Sequence, residues 1–221
     1  MKLEHLTNDI PLLMSSGDLQ TEITALTCDS RRVTPGTLFF ALPGVTADGH
    51  RYIPQAVAAG AAAVVLEDPA GIPSSIPSIL VASGRQAMAL MSASFYGHPT
   101  RSLPLVGITG TNGKTTTSYL VEGILNAAHS PAAVLGTISY RFGSTCLEAN
   151  HTTPESTELQ AIFRQLADAG AKSFVMEVSS HSLEQHRVDG CDFNVGVFTN
   201  LTRDHLEDRK STRLNSSHRI R

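Results

Sequence analysis

Apolar positions along this 221-residue chain fall into two rhythms, short strand-length runs and longer helical periods, and the two take turns. Between residues 21 and 96 the runs Glu22 to Leu26, Leu38 to Ala41, Ala62 to Leu66 and Ser78 to Val81 predict strands. Helical spacing predicts helices over Ile53 to Ala59 and Arg85 to Tyr96, the second stopped by Gly97 and Pro99. The stretch Gly97-His98-Pro99-Thr100-Arg101-Ser102 is polar and turn-rich, and a domain boundary is placed there. Strands follow at Leu105 to Thr109, Ala133 to Leu135, Phe174 to Val178 and Asn194 to Phe198, with helices over Lys114 to Ala127 and Thr157 to Ala169. The alternation predicts an α/β fold class: a small N-terminal α/β domain over residues 1–99, then a mostly parallel sheet within residues 100–207. Ligands of such sheets bind at the carboxyl ends of strands, where the motifs below fall.

Composition removes several function classes. Hydrophobic residues make up 41% and charged residues 17%, the balance of a folding domain and not of a disordered one. The apolar stretch Ala56 to Leu66 is broken by Gly60 and ends at Glu67, too short to cross a bilayer. Met1-Lys2-Leu3-Glu4-His5 carries no apolar run of signal-peptide type, so a cytoplasmic protein is expected. Cys28, Cys146 and Cys191 are odd in number and far apart, which suggests reduced thiols and no zinc site.

Charge is unevenly placed. Five of the seventeen Lys/Arg and one of the twenty acids lie from Asp208 onward, leaving the first 207 residues at net −7. That body is no nucleic-acid binder by charge. The end, residues 208–221, has almost no apolar residues and no period, and reads as a disordered tail. Its string resembles the conceptual translation of a sequencing-adapter read, so the natural sequence is expected to part from it near Glu207.

Strand Leu105 to Thr109 runs into Gly110-Thr111-Asn112-Gly113-Lys114-Thr115-Thr116 and then directly into a helix. Glycines let backbone N–H groups turn inward around phosphate oxygens, and the helix start adds the positive end of its dipole. In this pattern Lys114 pairs with the β/γ-phosphates and the Thr115 hydroxyl binds magnesium. The general phosphate-loop pattern is missed by one position, because residue 108 is Ile and the preceding glycine is Gly107.

The run Gly110 to Thr116 resembles the ATP loop of the Mur ligases, which those enzymes share with the folylpolyglutamate synthases. Thr27-Cys28-Asp29-Ser30-Arg31-Arg32-Val33, Pro35-Gly36-Thr37-Leu38-Phe39 and Asp48-Gly49-His50-Arg51-Tyr52 resemble the first domain of the third and fourth ligases of that family. His151-Thr152-Thr153-Pro154-Glu155, Glu177-Val178-Ser179-Ser180-His181 and Gln185-His186-Arg187 point to the third, MurE-type branch. Ser182 departs from the pattern, which has glycine there; a carbamylated lysine and a C-terminal domain that the family carries further on have no counterpart here.

The resemblance implies an ATP-dependent ligase that adds an amino acid, diaminopimelate by the lean of the first domain, to UDP-N-acetylmuramoyl-L-alanyl-D-glutamate through an acyl phosphate. It implies ATP and Mg2+ as cofactors, the UDP-muramoyl-dipeptide and a free amino acid as partners, and a monomer acting away from membranes. Lys114, Glu177 and His205 become the expected catalytic residues, with Thr115, Glu177 and His205 as magnesium ligands. Ser30 and the turn Val45-Thr46-Ala47 correspond to the uridine side, making residues 1–99 a UDP-substrate domain. Thr152, Thr153, Ser179, Gln185 and Arg187 correspond to the sugar-peptide end, and a guanidinium at Arg187 suits a D-glutamyl carboxylate. His181 and His186 are assigned packing roles, and Asp48 to Tyr52 the start of the helix at Ile53. A binding module without chemistry is the competing expectation, and a folylpolyglutamate-type synthase the third.

Overall fold

The computed structural model describes residues 1–44, 47–148 and 152–201. They form two compact units: Met1–Gly97 together with His186–Gly190, and His98–Gln185 together with the described residues from Cys191 on. Each unit is organised around its own sheet.

In the first unit, strands β1 (Leu12–Ser16), β2 (Ala25–Thr27), β3 (Thr37–Phe40), β4 (Ala61–Leu66) and β5 (Ser78–Val81) lie in the order β1-β5-β4-β3-β2. β2 to β5 are parallel, and β1 closes one edge antiparallel to β5. Helices α1 (Leu3–Thr7), α2 (Ile53–Ala58) and α3 (Gly84–Phe95) cover it. Successive side chains of a strand point to opposite faces. Leu38, Phe40, Ala63, Val65, Ile79 and Val81 pack with Leu3, Leu6, Met88 and Met91, whereas Phe39, Ala41, Val64, Leu66 and Leu80 pack with Ile53 and Ala56. Burial on both faces is why these strands read as continuous apolar runs.

One strand differs from expectation. Residues Glu22 to Thr24 do not join the sheet: Lys2 bridges Glu22, and the Ile23 N–H donates to Met1 O at 2.7 Å. The N-terminal segment uses the backbone groups of Glu22 and Ile23, while Thr24 N donates to Gly36 O at 2.9 Å, and the strand proper begins at Ala25.

The second unit contains α4 (Pro99–Ser102), β6 (Leu105–Thr109), α5 (Lys114–Ala127), β7 (Ala132–Leu135), β8 (Ser139–Phe142), β9 (Thr145–Glu148), α6 (Ser156–Asp168), β10 (Ser173–Glu177), α7 (Ser180–Glu184) and β11 (Val195–Phe198). Sheet order is β11-β6-β10-β7-β8-β9; the first four are parallel, and β8 and β9 form an antiparallel hairpin. Ile108, Val134 and Val175 pack with Val121 and Leu125 of α5. On the opposite face Phe174 meets Phe163 of α6 with ring centroids 4.7 Å apart. Helix α4 occupies part of the stretch expected to be turn alone.

Neither the β8–β9 hairpin nor α7 is signalled by periodicity, because the two strands have four residues each and the helix five, mixed polar and apolar. The hairpin is fastened from outside. Arg141 lies over the Tyr119 ring at 4.1 Å and pairs with Glu122 Oε2 at 2.6 Å, both on α5. With each charged side chain about 20% exposed, the pair is partly screened from water and stronger than a surface ion pair.

Register places the chemistry. Glu177 sits beside Ile108, and Phe198 beside Thr109, so β10, β6 and β11 end together at one edge. Phe163→Ala should destabilise the second unit by about 3–5 kcal/mol, measured by urea unfolding followed by circular dichroism. A loss below about 1 kcal/mol would contradict the packing described for α6 on β10.

Candidate functional site

Where β6 ends, the chain turns at two glycines with positive φ, Gly110 at 133° and Gly113 at 84°. Such backbone is strained for L side chains, and at Gly110 there is also no room: a Cβ would lie 2.2 Å from Thr199 Oγ1. Residues just past β11 hold this loop. Thr111 N donates to Asn200 O at 3.0 Å and Asn112 N to Asn200 Oδ1 at 3.1 Å, while Thr199 Oγ1 and Asn200 Nδ2 donate to Asn112 O at 2.6 and 2.9 Å. Helix α5 then starts at Lys114 on a glycine cap that makes no side-chain hydrogen bond, so no side chain of the cap competes for its first-turn N–H groups. Lys114 Nζ bends back over the loop, donating to Gly110 O at 2.7 Å and Thr111 O at 3.3 Å. Thr116 follows, exposed, one residue beyond Thr115.

Glu177 closes β10 and is 1% exposed. Burying a carboxylate demands hydrogen bonds. Its Oε2 accepts from Thr115 Oγ1 at 3.0 Å and Thr137 Oγ1 at 3.1 Å, and its Oε1 from Thr137 N at 3.4 Å. A Cβ on Gly136 would stand 2.4 Å from that Oε1, so the neighbouring strand end must be glycine for the carboxylate to fit. Thr152 Oγ1 lies 3.2 Å from Thr137 Oγ1. Thr153 Oγ1 donates to the Glu177 carbonyl at 3.0 Å and accepts from Ser179 N at 3.3 Å. Thus Thr115, Thr152, Thr153, Glu177 and Ser179, distant in sequence, share one hydrogen-bonded cluster beside the phosphate loop. Gly136 and Thr137 beside this cluster, and Thr199 and Asn200 beside the loop, were not among the residues the sequence singled out; they follow β7 and β11, and the strand-end rule applied to every strand would have found them.

The remaining expected residues are dispersed. Ser179 caps α7, accepting from Ser182 N at 3.1 Å, and the buried Ser182 hydroxyl donates to Ser179 O at 2.6 Å, so serine in place of glycine is accommodated within the turn. Gln185 ends α7, and Arg187 lies in the segment His186–Gly190 that belongs to the first unit. His181 is exposed, while His186, at φ 56°, pairs through Nδ1 with Asp189 Oδ2 at 2.8 Å. In the first unit Ser30 opens a short 3-10 turn after β2 and donates to Gln55 Oε1 of α2 at 3.3 Å. Beside it the Arg31 guanidinium, bonded to Asp29 at 2.7 Å, holds the Asp29 carboxyl down to about 2. Ala47 is exposed past β3. Val45, Thr46 and His205 lie outside the described residues. Among the described residues no group of three or more His, Cys, Asp and Glu gathers as a metal cluster.

A parallel sheet whose strand runs through a glycine loop into a helix start, beside a lysine and a buried acid, is the architecture of phosphate-loop α/β proteins. Residues 108–213 match the Mur ligase middle domain and residues 22–96 match the Mur ligase family, catalytic domain; the chain belongs to the Mur ligase family. It is 60% identical over 207 residues to the UDP-N-acetylmuramoyl-L-alanyl-D-glutamate--2,6-diaminopimelate ligase of Geobacter sulfurreducens, covering 94% of this chain and 41% of that protein. The ligase of the same name from Geobacillus thermodenitrificans is 46% identical over 94% of this chain and 42% of its own. A solved structure of a ligase of that name superposes with a TM-score of 0.77 at 29% identity, over 93% of this chain and 41% of the other. The MurF ligase of Thermotoga maritima in complex with ADP gives 0.56 at 26% identity, over 84% and 39%. The chain spans about two fifths of the length of the curated relatives it matches.

Gly136→Ala should push the Glu177 carboxylate off Thr137 and cost about 1–3 kcal/mol, read by chemical unfolding and by shifts of the Thr137 amide resonance. An unchanged Thr137 resonance would refute the contact. The Asp29 carboxyl carbon should titrate near pH 2 and return to the ordinary carboxylate range, about 4, in Arg31→Ala. Because the folded value lies below the unfolded one, the stabilisation is present above about pH 4 and lost as pH falls through about 2.

Proposed function

We propose that this chain supplies the ATP-binding and UDP-substrate-binding parts of a cytoplasmic, monomeric amide ligase that joins meso-diaminopimelate to UDP-N-acetylmuramoyl-L-alanyl-D-glutamate in peptidoglycan precursor synthesis. The observation that carries the reading is the phosphate loop with Lys114 bent over it and the buried Glu177 bonded to Thr115. The names of the curated relatives supply the substrate. Among the described residues no helix is long and apolar enough to cross a membrane.

In this reading residues 1–99 receive the uridine end through Ser30, Val45, Thr46 and Ala47. Residues 100–207 hold ATP on Gly110 to Thr116. Thr152, Thr153, Ser179, Gln185 and Arg187 receive the sugar-peptide. A D-glutamate carboxylate oxygen attacks the γ-phosphorus, the bond to the β-phosphate oxygen breaks, and acyl phosphate and ADP result. The amine then attacks the acyl carbon, phosphate leaves, and the amine loses a proton. Two anions meet in the first step, so cations must offset the charge. Lys114 exchanges the Gly110 and Thr111 carbonyls for phosphate oxygens, and the first-turn amides of α5 hold the phosphate in line. Thr115 and Glu177, joined at 3.0 Å, are hard oxygen donors of the kind magnesium takes, with His205 as a third ligand. Bound magnesium would draw charge from the β/γ-phosphate oxygens.

The 221-residue chain should bind ATP by calorimetry, and Lys114→Ala should weaken that binding about tenfold or more. ATP affinity unchanged in this variant would remove the loop from the account. Fused to the remaining length of the Geobacter sulfurreducens relative, the chain should form ADP and phosphate only when both the UDP-muramoyl-dipeptide and diaminopimelate are present. Equal ATP turnover without them would argue against a ligase.

A further inference from the structure

Between β7 and β8 the chain reverses over Gly136 to Ser139, a turn closed by Gly136 N donating to Ser139 O at 3.2 Å. Thr137 stands on that turn, exposed, and makes contacts on two sides. Its hydroxyl donates to Glu177 Oε2 at 3.1 Å and its amide to Oε1 at 3.4 Å, so one residue meets both oxygens of the buried acid. On the other side its Oγ1 lies 3.2 Å from Thr152 Oγ1.

The number of protons fixes the direction of these bonds. A carboxylate only accepts, and a threonine hydroxyl carries one proton. Thr137 spends that proton on Glu177, so towards Thr152 it accepts, and the Thr152 hydroxyl donates to it. The relay runs from Thr152 through Thr137 to Glu177, where Thr115 of α5 donates to the same Oε2 at 3.0 Å. With its proton committed, Thr152 meets a ligand as an acceptor, suited to an N–H or O–H group of a sugar-peptide.

The segment that carries Thr152 has another tie to β10, because Thr153 Oγ1 donates to the Glu177 carbonyl at 3.0 Å. The turn that carries Thr137 is held too: Tyr140 and Arg141 pair with Leu135 and Val134, and Arg141 is fixed to Glu122. What the Thr137 side chain adds is orientation, the plane of one carboxylate and the rotation of one hydroxyl. Burial is a small part of its role, since Thr137 is exposed where Glu177 is 1% exposed.

We infer that Thr137 is a positioning residue shared by two binding groups, turning the Glu177 carboxylate for the cation of the nucleotide and the Thr152 hydroxyl for the sugar-peptide. The inference rests on the roles proposed for Glu177 and Thr152. Hydrogen bonds behind a ligating group commonly set its orientation and its affinity.

The test uses the 221-residue chain with two probes, ATP with and without magnesium, and UDP-N-acetylmuramoyl-L-alanyl-D-glutamate. Thr137→Val keeps the branched shape and the amide and removes the hydroxyl, whereas Thr137→Ser keeps the hydroxyl. In Thr137→Val the magnesium gain in ATP affinity and the affinity for the UDP-muramoyl-dipeptide should each fall about tenfold. In Thr137→Ser both should stay within about threefold of the parent, and ATP affinity without magnesium should be unchanged in both variants. A valine variant that matches the parent with either probe overturns the shared role. Equal losses in valine and serine, or an equal loss of ATP affinity with and without magnesium, also overturn it, since a merely structural role would give that result. Where Thr137→Val does not fold, Thr137→Ala makes the same comparison with serine. A parent whose ATP affinity ignores magnesium overturns the reading of Glu177, and one that binds no UDP-muramoyl-dipeptide overturns that of Thr152, each visible before any substitution.

Discussion

A carboxylate cannot sit buried at the end of a β-strand unless its neighbours yield space and donate protons, and the second unit is arranged around that constraint at Glu177. The strand beside it ends in Gly136, whose missing side chain leaves room for Oε1, and Thr137 follows with both its amide and its hydroxyl turned to the acid. On the other side the first helical turn after the phosphate loop brings Thr115. The donors around Glu177 are neutral, so its charge is hydrogen-bonded but not offset by a cation from these partners. A negative group in that state beside a glycine loop, a helix start and a lysine is suited to a site where phosphate and a divalent cation arrive together.

The first unit likewise joins its strand-end loops to one another through polar side chains. There the ring of His50 ties the turn after β3 to the end of β4, and Glu67 ties β4 to the start of α3. Parallel sheets deliver their loops to one edge, and the edge becomes useful only when separate loops are joined to each other. In the second unit Arg141 does the equivalent work for the hairpin, stacking on Tyr119 and pairing with Glu122 of the helix that carries Lys114.

How far the sequence could be read depended on how local each cause was. Leu105–Thr109 and Lys114–Ala127 were legible to the residue, because a glycine loop bounds both elements. Glu22 to Leu26 was legible as extended chain but not as a sheet strand, since its first residues bond to Met1 and Lys2. The β8–β9 hairpin had no period of its own; its anchor lies on α5, some twenty residues earlier. At the site, the phosphate loop is contiguous and announced itself. Thr137 and Asn200 stand just past strand ends but carry no local motif, and which groups they bond is set only by the register that lays β7, β10, β6 and β11 side by side. The Mur ligase resemblance was carried by joint spacing of motifs, and the matches to both Mur ligase domain models agree with it.

The central claim is that Glu177 and Thr115 form the oxygen-donor half of a cation site serving the nucleotide on the phosphate loop. The most direct measurement is the magnesium dependence of ATP affinity for the 221-residue chain and for Glu177→Gln, which keeps shape and hydrogen bonding while removing charge. Magnesium should tighten ATP binding in the parent by about tenfold or more, and that gain should vanish in the variant. The same magnesium gain in both proteins would contradict the account.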